Sequence, residues 1–404
     1  MRLNRRWLNF AGGAVMLGTI GGLGVLAWGV FGTSGDEDQA VRESSPVTAT
    51  PARTPEETST PTPPAPSGSP PKHIFFTRGP ELWAVDAGGS DPVLLSEEVS
   101  GGGGSYLFGT SFPASSPEGN AVAFISSDRN LWIVGAEGAN LIRLSDEALP
   151  EDETYYPSNV LISGWSPDGS KIAYYVDAVA SSEDPAVNKK QRSDRGFVAV
   201  DTESGQKKRL PVLPNFVGWS ADSEKIIYEQ QFDLGASRDW YTLDITTDVV
   251  TKLTSERIEC ANVHPSFTPG SESFVYACGS SGITTSSMVL ADNHNTNRQL
   301  LLEGAWAELQ FPIVSPDGAA FVYRHQGPLG TGGVPAFEVR LFDLAAMSDR
   351  RLVSGCAFAQ AWLDPRSILL KEYASCAGDP TADLVRIDIL SGARLLLASD
   401  VDPN

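Results

Sequence analysis

The chain has 404 residues, 41% of them hydrophobic and 20% charged. That is the make-up of a folded globular protein, long enough for two or three ordinary domains or one large β architecture. Fifty acids against thirty Lys and Arg give a formal net charge of −20; such a surface repels phosphate backbones, and no basic patch interleaved with aromatics occurs, which argues against nucleic acid as a partner.

The first element, residues 1–32, reads as a basic stub and a membrane anchor. Arg2, Arg5 and Arg6 precede a run from Trp7 to Gly32 that carries no charge. About 20 apolar residues cross a bilayer, and the Lys/Arg side stays cytoplasmic, so the rest of the chain is expected outside the cytoplasm. A secretory signal peptide has an apolar core of only about 7–15 residues. Cleavage would make the protein secreted; the longer run favours an uncleaved single-pass anchor in the cell membrane. Gly18 and Gly22 match the small-residue spacing of helix pairs and suggest weak self-association. Residues 33–72 are dense in Pro, Thr, Ser and Glu. With almost no large apolar side chain they cannot bury enough surface to fold, and they read as a disordered, extended stalk.

From His73 onward two short patterns alternate. The first is SSPEGNAVAFI (115–125), WSPDGSKIAYY (165–175), WSADSEKIIYE (219–229), FTPGSESFVYA (267–277), VSPDGAAFVYR (314–324) and LDPRSILLKEY (363–373). Pro at a turn's second position is pre-set for it, Gly takes the positive φ that closes it, and an aromatic-rich strand follows. The second pattern is a strand ending in Asp or a near substitute, then a polar turn and a strand closing on Leu. It occurs seven times, from LWAVDAGGSDPVLL (82–95) to LVRIDILSGARLLL (384–397). A repeat of roughly fifty residues with four strands per unit is the signature of a β-propeller. Residues 73–404 are therefore expected to be all-β with seven blades, six being the alternative. The first blade, which begins directly at HIFFTR, should have three strands. Asp168, Asp317 and the Asp of each closing hairpin read as turn caps.

The four cysteines are Cys260, Cys278, Cys356 and Cys376. Three pairings are possible. Cys260 with Cys278 and Cys356 with Cys376 each straddle one first-pattern turn at nearly equal distance, as cross-strand partners do. Two such disulfides suit an oxidising compartment.

The S-P-D-G turn followed by K-I-A-Y-Y resembles the propeller repeat of TolB, and also the propeller of the dipeptidyl peptidase and tricorn protease families. The resemblance covers residues 73–404 through short degenerate repeats and implies fold rather than activity. TolB's α/β domain has no counterpart before the propeller, and the peptidases' α/β-hydrolase domain has none after it.

Catalytic motifs are scarce. There is no G-x-S-x-G elbow, and the glycines at 101–104 precede neither Lys nor a helix. The four His show no local metal-ligand spacing, so neither metal nor cofactor is expected. His264 falls on the innermost strand of blade five and His325 just past the second strand of blade six. Certain sugar-cleaving lyases resemble this chain in having S-P-D-G propellers with a His-bound metal near the channel. The long connections present Tyr155, Tyr156 and Trp306, aromatics typical of contact surfaces. The expectation is a non-catalytic scaffold at the cell envelope, binding a protein or glycan through Tyr155, Tyr156, Trp306, His264 and His325. Its alternative is a propeller hydrolase or polysaccharide lyase with a site at the channel mouth.

Overall fold

The computed structural model describes residues 73–402 except 101–104, 107–108, 111–112, 147–158, 178–195, 211–214, 233–236, 261, 271, 280–284, 306–307, 330–334 and 377–380. The apolar run, the Pro-rich stretch, Tyr155, Tyr156 and Trp306 lie outside the described residues. Among the described residues no helix is long and apolar enough to cross a membrane.

Every strand pairs antiparallel with its sequence neighbour, in seven sheets. Among the described residues blade one has three strands, His73–Arg78, Glu81–Asp86 and Val93–Ser96, with no innermost strand, in line with its opening at HIFFTR. The next six have four strands each, their first strands being Ala114–Ser115, Asn159–Trp165, Asn215–Trp219, Asn262–Phe267, Leu309–Val314 and Ala357–Asp364. Seven hydrophobic clusters fill the spaces between blades, one at each junction. They run from Leu82, Val122 and Phe124 between blades one and two to Ile74, Phe76, Leu363 and Leu369 between seven and one. Seven junctions settle the blade count at seven rather than six.

The repeated turn works through its serine. In WSPDGSK, buried Ser166 accepts the Lys171 N–H at 2.9 Å and donates to Asp168 at 2.6 Å. Ser315 does the same for the Ala320 N–H and Asp317, and Ser220 for the Lys225 N–H and Asp222. The fourth residue of the turn has positive φ: Gly119, Gly169, Gly318, and in blade four Ser223 at 61°. Ser223 repays that conformation, because its hydroxyl accepts the Asp168 N–H of the neighbouring blade at 3.1 Å.

The tryptophan before the turn stitches blade to blade. Trp165 donates to the Ala114 carbonyl (2.8 Å), Trp219 to Gly164 (3.1 Å) and Trp362 to Ile313 (2.8 Å). Each bond joins the first strands of adjacent blades, holding those strands around the axis. Just before this position the first strands of blades three, four, six and seven carry one extra residue relative to their partners. Such bulges bend a strand and re-aim side chains.

Ring closure falls to the C-terminal residues. The Asp402 N–H bonds the Thr77 carbonyl at 2.9 Å, its carboxylate accepts the Gly79 N–H at 3.1 Å, and Arg78 donates to the Ser399 carbonyl at 2.7 Å. Asp402 thus begins the pairing that an innermost strand of blade one would make. One departure was not readable in the sequence. The connection between blades one and two forms two short strands, Ser105–Tyr106 and Gly109–Thr110, and the second pairs with the first strand of blade three. A strand added to that inner edge lies within the channel.

Candidate functional site

The S-P-D-G and Asp turns lie on one face of the ring. The other face carries the connections between second and third strands and those between blades, so the channel mouth there is shaped by loops. Both disulfides brace this second face: Cys260–Cys278 in blade five, with Cα atoms 5.4 Å apart, and Cys356–Cys376 in blade seven, 5.2 Å apart. They are the pairs selected by the repeat, because each joins residues flanking the start of a first strand and the end of a second. On the turn face a cleft of roughly 490 Å³ lies between blades two and three, lined among others by Ser116, Asn120, Trp165, Asp168 and Thr202. Its carboxylate Asp168 is already used: burial alone would push it up, but the bonds from Ser166 and Ser170 outweigh that and hold it at about 2.

At the loop-side mouth the chemistry gathers on blades six and seven. His325 lies within the second strand of blade six rather than past it. The strand runs Ala320–Leu329 because the Gly/Pro-rich string still pairs, up to Leu329 opposite Pro335, around an irregularity after Gln326. The His325 ring stands 4.0 Å from Glu338, its cross-strand partner, and its buried Nδ1 has no hydrogen-bond partner among the described residues. Glu338 is held by Arg340 (2.7 Å) and Arg351 (3.2 Å). Burial pushes its carboxyl up, but those two guanidinium groups prevail and keep it below the usual range. His264 is on the innermost strand of blade five, as expected, opposite Ala277. Its side chain lies outside the described residues.

Arg324, next to His325 along the strand, points to the opposite side of the sheet. Its guanidinium lies 5.0 Å from the centroid of Phe311, 5.0 Å from Phe337 and 5.2 Å from Phe358, and it bonds the Gln310 side-chain oxygen. Phe311 occupies the bulge of the innermost strand with φ 51° and is 44% exposed. Phe358 stands opposite Lys371 in the ladder of blade seven and meets Tyr373 edge-on at 5.5 Å. Lys371 donates to the Asp402 carbonyl at 2.9 Å, and burial pulls its ammonium down to about 8. The sequence pointed to His325 but not to Arg324, Phe311, Phe358 or Lys371. Nothing in their local motifs distinguishes them; the positive φ of Phe311 and the burial of Lys371 exist only in the folded ring.

Among the described residues no group of three or more His, Cys, Asp or Glu could hold a metal ion.

No family model matches the chain, and no curated protein matches it in sequence. Solved structures do match in fold. An oligogalacturonate lyase in complex with manganese is 13% identical, with a TM-score of 0.51, over 82% of this chain and 85% of that one. An oligogalacturonate lyase from Vibrio parahaemolyticus is 12% identical, with a TM-score of 0.51, over 81% and 84%. Dipeptidyl peptidase 4 from Porphyromonas gingivalis, of which the match covers 48%, is 14% identical over 79% of this chain, with a TM-score of 0.46. Identities this low show the fold, a seven-bladed propeller. Both lyases are enzymes, and that finding corrects the expected non-catalytic scaffold, which is not kept as the reading of this chain.

Proposed function

We propose that this chain is a propeller enzyme of the lyase or hydrolase class, with its site at the loop-side channel mouth on blades six and seven. The observation that carries this reading is that Phe358 has Lys371 opposite it in the ladder and the Arg324 guanidinium 5.2 Å from its ring. Lys371, at about 8, is a proton acceptor poised near neutral pH. The Arg324 guanidinium is a fixed positive charge in a water-poor setting. Elimination and hydrolysis both need a group that takes a proton and a cation that steadies the negative charge developing on the substrate. Lys371 would take the substrate proton once its ammonium has released its own proton to solvent, while the Asp402 carbonyl holds the amine in place. The oligogalacturonate lyases support a glycan substrate, which the propeller would meet outside the cytoplasm. The charge-free run after Arg6 and the two disulfides support that location, and the S-P-D-G repeat supports a TolB-like propeller.

The test is a turnover assay of the full-length chain on acidic oligosaccharides, neutral oligosaccharides and peptides. A new carbon–carbon double bond, read by ultraviolet absorbance, marks elimination; reducing ends without it mark hydrolysis. Activity should rise with pH through about 8 as Lys371 loses its proton. Lys371→Met should lower kcat by about a hundredfold or more with KM little changed. Turnover of none of these substrates would overturn the reading, and an unchanged Lys371→Met rate would remove Lys371 from it.

A further inference from the structure

We infer that Arg324, walled by Phe311, Phe337 and Phe358, is a binding site for a carboxylate borne on a sugar ring. This deepens the proposed function by naming the class of its substrate, and rests on that reading only for the word substrate.

The argument begins with charge pairing. In a chain with fifty acids, other part-buried guanidinium groups are met by carboxylates or by a backbone carbonyl: Arg340 has Glu338 and Asp349, both at 2.7 Å, Arg238 has Glu229 at 3.1 Å, Arg386 has Asp364 at 3.4 Å, and Arg78 donates through both Nε and a terminal nitrogen to the Ser399 carbonyl. Arg324 has no carboxylate partner among the described residues. Among those residues it bonds a neutral amide oxygen, that of Gln310, and its buried Nε has no acceptor. Burial draws its guanidinium below the ordinary range, and what faces it is three aromatic rings and one amide oxygen rather than an anion. A half-buried charge held this way is a cost to the fold unless something else meets it.

The surroundings say what would meet it. Guanidinium presents N–H groups in a planar fork that matches one carboxylate. The walls are phenyl rings, which carry no hydroxyl or charge to compete for the anion and offer flat faces to the C–H faces of a sugar ring. One wall, Phe311, is maintained at a positive φ that bulky residues seldom adopt, on the innermost strand where ligand would arrive. Local strain and a guanidinium without a carboxylate coincide at one place, and a bound carboxylate would meet the second. A merely structural cation–π clamp would need neither the missing acceptor nor the exposed ring.

The experiment is calorimetric titration of the full-length chain with glucuronate, glucose and an N-acetylated dipeptide acid, alongside thermal melts of the variants. Glucuronate should bind and glucose should not. Arg324→Met should weaken glucuronate by at least about tenfold, the worth of a charge-assisted pair, and Arg324→Lys, which keeps charge but loses the fork, should fall between. Phe311→Ala should weaken it too. The melting temperature of Arg324→Met should stay level or rise, since a desolvated charge has been removed. A fall in melting temperature with glucuronate affinity unchanged would overturn the site and leave a structural clamp. Dipeptide acid binding above glucuronate would overturn the sugar class. Glucuronate binding without turnover of any substrate would sink the enzyme reading alone; turnover indifferent to Arg324→Met would sink this inference alone.

Discussion

Ser223 shows how single residues are chosen in this ring. Its position calls for glycine, as Gly119, Gly169 and Gly318 show in three other blades, yet its hydroxyl takes the Asp168 N–H of the preceding blade. The left-handed conformation costs a side chain about 1–2 kcal/mol and the bond returns about 1. Ser223→Gly should therefore change stability little, while Ser223→Ala, which keeps the strain and loses the bond, should cost about 1 kcal/mol by urea denaturation. The turn carboxylates make a second residue-scale case. Asp292, bonded by the hydroxyl and N–H of Thr296, and Asp168 both titrate at about 2. Folded values below the ordinary one of about 3.9 stabilise the fold above pH about 4, and that contribution is lost as pH falls towards 2. Melting temperature should drop across that window, and Asp168→Asn should flatten part of the drop; identical curves would show that the caps contribute nothing.

At the scale of the element, the W-S-P-D-G string has three jobs that the sequence shows unequally. Its Pro and Gly announce a turn, and the aromatic run after it announces a strand. The tryptophan's bond to the preceding blade could not be inferred, because its acceptor lies about fifty residues upstream and is a bare backbone carbonyl. Trp219→Phe keeps the ring in its cluster but leaves the Gly164 carbonyl without its donor, so it should cost about 1–2 kcal/mol. Trp132→Phe is the control, since Trp132 bonds only the nearby Asp128 at an exposed site and should cost far less. Equal losses in the two variants would deny the stitch. The bulge before the tryptophan was equally hidden. It recurs in four blades but places an exposed aromatic at positive φ only in blade six, where Phe311 turns a structural device into a wall of the site.

For the whole molecule the question is how a ring with an incomplete first blade stays shut. Blades seven and one share a cluster that includes Ile74, Phe76, Leu369 and Val401, the last fully buried. Asp402 adds bonds to Thr77 and Gly79. Removing residues 400–404 takes away Val401 and all the Asp402 bonds, so it should cost about 3 kcal/mol or more and lower cooperativity, as denaturant unfolding would report. An unchanged midpoint would mean that side-chain packing between the two blades closes the ring by itself. The same truncation takes from Lys371 the Asp402 carbonyl to which it bonds, coupling closure to the proposed site.

The seven closing hairpins, the turn strings and the two cysteine pairs were decided by sequence alone. They depend on residues close along the chain, where turn geometry, strand alternation and hairpin register act locally. His325 was legible as a candidate for the same reason: it lies at a countable distance from a repeat. Arg324, Phe311, Phe358 and Lys371 were settled only by tertiary structure. A guanidinium without a carboxylate, a phenyl ring at positive φ and an amine pulled down to about 8 are properties of neighbours brought together from separate strands and blades. No short stretch of sequence contains an unmatched charge; it arises when the ring closes around it and excludes the water that would have matched it.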